Sequence, residues 1–262
     1  MKYEKTRLRA FFYFDKIKAE NSSPLFSEMP IKRPQLVNDE IYHIVIRGVG
    51  DSLIFKNIND YYRAIFSLYE FNTTGPIEIK KQREKRETIK KRGELFSADL
   101  RDLLVEILTF CFMPNHIHLL VKQIKDRGIT QFMRKLGAGY AAYFNKKYNR
   151  KGHLFQGRFK AVHIDDDEQL RTVFVYIHAN PVSLIEPKWK ERGIKNPQKA
   201  IKFLENYRWS SYQDYLGIKN FPSVTKRDFI PRAMGGGKSC RESVENWIKY
   251  KKIKDFGKIA LE

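Results

Sequence analysis

The sequence predicts an α+β protein, an antiparallel sheet with helices packed over it, and three observations carry that class. Runs rich in β-branched and apolar residues stand at 42–47, 103–113 and 116–122. The last two are separated only by Pro114-Asn115, whose turn chemistry suits an antiparallel hairpin. Between and after these runs lie longer stretches, from Asn59 to Tyr69 and from Ile129 to Phe144, whose apolar residues recur at helical spacing.

Residues 1–35 are mixed and charged, and Pro24, Pro30 and Pro34 interrupt any long element, so they read as an N-terminal extension. The first strand, Tyr42-His43-Ile44-Val45-Ile46-Arg47, ends at Gly48. The next helix has Tyr62, Ile65, Phe66 and Tyr69 on one apolar face. A basic segment follows: residues 80–92 hold eight Lys or Arg and two Glu, either a solvated surface or a phosphate contact, inside an expected insertion over about 78–95.

After the hairpin comes a long amphipathic helix with Ile129, Phe132, Met133, Leu136, Tyr140, Tyr143 and Phe144 along its stripe and Lys146, Lys147, Arg150 and Lys151 at its end. A loop at 154–160 leads into a strand reaching Ile164. Asp165 to Asp167 then cap a helix from about Glu168 to Ala179, which Asn180-Pro181 ends. Residues 217–262 read as a helical C-terminal tail. There Ser239 and Glu242 form a capping box for a last helix to about Lys252, and Gly235-Gly236-Gly237-Lys238-Ser239 is no phosphate loop because Arg232 stands where its first glycine belongs.

The 262 residues carry 50 Lys and Arg against 30 Asp and Glu, a net charge of +20, which points to a polyanionic partner. Two distant cysteines, Cys111 and Cys240, argue against a disulfide framework or a thiolate zinc site. The aromatic run Phe11 to Phe14 is too brief for a secretion signal, and no stretch has the ~18 to 20 apolar residues of a membrane span. The expectation is a soluble, cytoplasmic, nucleoid-associated protein without a membrane or a small-molecule organic cofactor, as a monomer or a homodimer.

His116-Ile117-His118 lies in an expected strand, so both imidazoles share a face and form either a metal-binding pair or ordinary strand histidines. Tyr176 and Asn180 are four apart on a helix and hence neighbours. By periodicity alone they are equally a half-buried aromatic and a C-terminal cap. Tyr140 and Tyr143 belong to a core stripe, Tyr148 to a basic turn, and His153, His163 and His178 lack a comparable pairing.

Four motifs, in order, resemble one family. They are Met113-Pro114-Asn115-His116-Ile117-His118-Leu119-Leu120; Gly139-Tyr140 with Tyr143-Phe144-Asn145; Gly152-His153-Leu154-Phe155-Gln156-Gly157-Arg158-Phe159-Lys160; and Tyr176-Ile177-His178-Ala179-Asn180-Pro181-Val182. Over residues 36–216 the chain resembles the REP-associated tyrosine transposases, within the HUH superfamily of single-strand endonucleases.

The resemblance implies a ferredoxin-like sheet of four or five strands, metal ligation by His116, His118 and Asn180, and Tyr176 as nucleophile. It implies cleavage and rejoining of hairpin-forming single-stranded DNA through a 5′-phosphotyrosine. Asn180 stands where several relatives have the longer Gln. Two neutral imidazoles and an amide oxygen suit Mg²⁺ or Mn²⁺, and imidazole also accepts zinc. Basic groups interleaved with aromatics place DNA contacts at Arg47, Lys146, Lys147, Arg150, Lys151, Gln156, Gly157, Arg158 and Lys160. The alternatives are a non-cleaving nucleic-acid-binding protein derived from such an enzyme, and a zinc hydrolase using water.

Overall fold

The computed structural model describes residues 33–91 and 101–250. The chain divides into two units, 1–32 and 33–262. The first, nearly all of the expected N-terminal extension, lies outside the described residues, as do 92–100 and 251–262.

Four strands form one antiparallel sheet: β1 (Ile41–Arg47), β2 (Val105–Met113), β3 (His116–Gln123) and β4 (Lys160–His163), in spatial order β2-β3-β1-β4. β3 pairs antiparallel with both β1 and β2, so those two run parallel with β3 between them, the split crossover of a ferredoxin-like sheet. An isolated bridge from Cys111 to Ser210 extends the β2 edge.

One face is covered by helix α1 (Ile58–Glu70) and helix α3 (Gly128–Lys147), and helix α2 (Ile79–Lys91) packs beside α1. This core contains Tyr42, Ile44 and Ile46 of β1, Ile117, Leu119 and Val121 of β3, and Phe132, Leu136 and Tyr140 of α3. Asn57 and Asp60 cap α1 with a complete capping box. Gly128 opens α3 where a Cβ would lie 2.2 Å from the Leu104 carbonyl oxygen, so no larger residue fits.

The opposite face is covered by helix α4 (Asp167–Ala179), capped by Asp166 and followed by a 3-10 turn at Asn180–Leu184. Helix α5 (Pro197–Asn206) and helix α6 (Gly237–Tyr250) complete this side. Ile230, Cys240, Val244 and Trp247, from the segment expected as a tail, are buried in the same core as Phe174 and Ile177 of α4.

Two expectations are corrected. Ser239 does not cap the last helix, because α6 already begins at Gly237 behind two left-handed glycines and Ser239 lies in its first turn. Of the expected apolar face Tyr62, Ile65, Phe66 and Tyr69 of α1, Ile65 is buried in the core beside Ala64 and Leu68, whereas Tyr62 is exposed and Phe66 and Tyr69 are half-buried.

Candidate active site

Strand alternation separates the hairpin side chains between the two cores. Ile117 and Leu119 enter the α1–α3 core, so His116 and His118 point to the α4 side. The register sets Val45 opposite His118 and Arg47 opposite His116, which places His43 on this face too. α4 lies over them and brings Tyr176 and Asn180 to the histidines, one turn apart.

The contacts are close. His116 and His118 have ring centroids 4.8 Å apart, and the Tyr176 ring meets that of His118 edge-on at 5.8 Å. The Asn180 amide lies 2.9 Å from His118 Nε2, and His43 Nε2 lies 3.0 Å from His118 Nδ1. Asn115 Oδ1 holds His116 Nδ1 at 2.7 Å. Lys190, on the one-turn helix Trp189–Arg192, donates from Nζ to the Tyr176 hydroxyl at 3.2 Å. Tyr176, His118 and His43 are fully buried, and His116 and Asn180 nearly so.

This donor set fits a divalent ion. In both histidines Nδ1 is engaged by an outer partner, which orients the ring and leaves Nε2 as the nitrogen that could ligate an ion, the arrangement usual around metal-bound imidazole. Turning the Asn180 amide over, equivalent in shape, sets its oxygen beside His118 Nε2. Among the described residues no group of three or more His, Cys, Asp or Glu could hold a metal, and the donors gathered at this site are two imidazoles and an amide.

The competing tyrosines are engaged elsewhere. Tyr140 donates to the Ile54 carbonyl at 2.6 Å, and Tyr143 and Tyr148 donate to Asp60 at 2.9 and 2.6 Å. Burial pushes the Asp60 carboxyl up, but hydrogen bonds from Lys147, Tyr148, the Lys56 amide and Tyr143 outweigh it and hold its pKa low. Burial and the Asp60 carboxylate together push the Tyr148 phenol up to about 12. His178 is buried against Ser211, 2.9 Å away, and His163 bridges Glu40 and Asp165.

Of the expected DNA contacts, Lys146, Lys147, Lys151, Gln156, Gly157, Arg158 and Lys160 are exposed. The loop holding the middle residues is tied to the His116 end of β1: the Gln156 amide donates to the Arg47 carbonyl and the Val49 amide to the Leu154 carbonyl. Gly157 takes a φ of +64° there, in open space. Arg47 pairs with Asp51, and Arg150 is held by Asn145 and the His153 carbonyl. Lys147 is set apart: its ammonium binds the buried Asp60 carboxylate at 2.6 Å, so its charge is matched within the fold.

His43 was not singled out in the sequence. A lone histidine in a strand carries no signal of its own, and the one available was its odd-numbered alternation with Val45 and Arg47, which becomes informative only once β1 is paired with β3.

Residues 77–180 match the family model of the IS200-like transposases, and that span contains His116, His118, Tyr176 and Asn180. The transposase resemblance drawn from the motifs is thereby borne out over that segment. No curated protein matches the chain. Among solved structures, the chain is similar to a REP-associated tyrosine transposase bound to a REP hairpin, at 14% identity and a TM-score of 0.41 over 76% of this chain and 93% of that one. It is also similar to a bacterial tRNA(His) guanylyltransferase-like protein in complex with GTP, at 12% identity and a TM-score of 0.33 over 62% and 76% of the two chains. A third similar structure is tRNA(His) guanylyltransferase from Saccharomyces cerevisiae, at 14% identity and a TM-score of 0.28 over 67% and 75%. No helix among the described residues is long and apolar enough to cross a membrane.

Proposed function

We propose, with the IS200-like transposase match over residues 77–180 as premise, that this chain cleaves and rejoins hairpin-forming single-stranded DNA through a 5′-phosphotyrosine on Tyr176. The observation that carries the reading is the convergence of Tyr176 and Asn180 from α4 on His116 and His118 from β3, with the hydroxyls of Tyr140, Tyr143 and Tyr148 engaged elsewhere.

His116 Nε2, His118 Nε2 and the Asn180 side-chain oxygen would hold Mg²⁺ or Mn²⁺. Such an ion supplies charge neutralisation at a non-bridging phosphate oxygen and orients the group for in-line attack. The Tyr176 oxygen forms the new bond to phosphorus, the bond from phosphorus to the 3′ oxygen breaks, and the phenol's proton is passed on so that the 3′ oxygen leaves as a hydroxyl. The link conserves the phosphodiester's bond energy, so attack by a 3′-hydroxyl reverses the step without ATP. Lys190 sets a cation against the phenolate as it forms.

The exposed groups at 146–160 suit the flanking strand: Lys146, Lys151, Arg158 and Lys160 neutralise phosphates, while Gln156 and Gly157 allow close backbone approach. Arg47 and Arg150 lie at the same edge and keep capacity for a phosphate beside their present partners. Lys147 belongs to this surface as the anchor of its helix end.

The test is incubation of the protein with labelled hairpin oligonucleotides and Mn²⁺, with and without EDTA. A denaturant-resistant adduct that forms only with the metal is expected. Hairpin binding without any adduct would instead establish the non-cleaving nucleic-acid-binding reading, and undiminished cleavage in EDTA would remove the metal.

A further inference from the structure

The outward stripe of α1 borders an open groove of about 450 Å³ between α1, α2 and the segment 220–224. Tyr62 is 39% exposed there, a large aromatic left at the surface, and Phe66, Tyr69 and Phe221 continue the lining. Each ring has a guanidinium against it: Arg208 lies 5.2 Å over Tyr62, Arg83 lies 5.6 Å over Phe66, and Arg86 lies 4.6 Å over Tyr69. Trp209 stacks between Tyr61 and Phe221, at 4.6 and 6.3 Å, and fixes the rings at that end.

The charges are of two kinds. Arg86 pairs at 2.5 Å with the buried Glu70 carboxylate and so docks α2 on α1. Arg83 and Arg208 are exposed, and α2 carries seven Lys or Arg against two Glu. A flat aromatic floor rimmed by cations calls for an occupant with π-faces and negative charge between them. Unpaired nucleotides have both, whereas an acidic peptide has the charge without the repeated flat faces.

We propose that this groove is a second nucleic-acid site, taking unpaired nucleotides of DNA by stacking on Tyr62 and Phe221 with phosphates on Arg83 and Arg208. The choice of DNA rests on the function proposed above. The groove lies on the α1–α3 side of the sheet and the histidines face the α4 side, so the strand held here is a different stretch from the one at the phenol.

The test uses the full chain in EDTA with labelled oligothymidylate of roughly ten nucleotides. Tyr62→Ala and, independently, Arg208→Ala are expected to weaken binding about tenfold, while Tyr62→Phe, which keeps the stacking face, binds as the wild type does. Iododeoxyuridine in the oligonucleotide should cross-link to the peptides holding Tyr62 or Phe221. Unchanged affinity in both alanine variants, or competition by polyglutamate as strong as by oligothymidylate, would overturn the site. The measurement needs neither metal nor cleavage, so a missing tyrosine adduct and an unchanged oligothymidylate affinity are separate results.

Discussion

His43 Nε2 and His118 Nδ1 lie 3.0 Å apart across neighbouring strands, with their rings stacked at 17°. An ion on His118 Nε2 requires the ring proton on Nδ1, where His43 Nε2 is placed to accept it. His43 therefore fixes which nitrogen of His118 faces the pocket. In His43→Ala, Mn²⁺ affinity measured by calorimetry should fall roughly 10- to 100-fold, as for other outer partners of metal-bound histidines. An unchanged affinity would show that His43 only fills space.

Replacing Tyr176 by Phe removes one oxygen and keeps the ring that packs on His118 and His43. The variant is expected to bind hairpin DNA and Mn²⁺ as the wild type does, yet to form no adduct and cut no strand. Cleavage at more than a small fraction of the wild-type rate would mean that water is the nucleophile. Peptide mapping of the wild-type adduct must place the DNA on Tyr176 and not on Tyr140, Tyr143 or Tyr148.

Lys190→Met keeps most of the side-chain volume over the Tyr176 ring, from which the ammonium is 5.1 Å distant, and deletes the charge beside its hydroxyl. The cleavage step in single-turnover kinetics should slow by about a hundredfold, the scale seen when one preorganised donor to a developing oxyanion is lost. Hairpin affinity in EDTA should stay the same. A variant that lost affinity but not rate would make Lys190 a phosphate contact instead.

Burial opposes charge on His163, but the hydrogen bonds its ring donates to the Glu40 and Asp165 carboxylates outweigh it and raise its pKa. A raised folded-state pKa contributes stability that is complete below the unfolded value of about 6.5 and is lost as pH rises through the folded value. The Tm difference between wild type and His163→Gln should therefore be largest at about pH 6 and shrink at alkaline pH. A difference that grew with pH would reverse the assignment.

Several features were legible because local chemistry decides them. Alternating apolar runs and the Pro114-Asn115 turn placed β2 and β3 to within two residues, and the acidic cluster before Glu168 located the cap that Asp166 supplies. The face shared by His116 and His118 follows from strand geometry, and the adjacency of Tyr176 and Asn180 from helix geometry.

What only the tertiary structure decided concerns which surfaces meet. Periodicity marks an apolar stripe but not the side on which the core lies. On α1 the packing partner is the sheet, which takes Ala64, Ile65 and Leu68 and leaves Tyr62, Phe66 and Tyr69 to a groove built later in the chain by α2 and residues 220–224. Lys147, expected as a DNA contact, also pairs with Asp60, 87 residues earlier, which only the fold brings beneath it. His43 and Lys190 became part of the site by the same cause: strand register and helix docking are settled by burial summed over the whole core, which no short window of sequence contains.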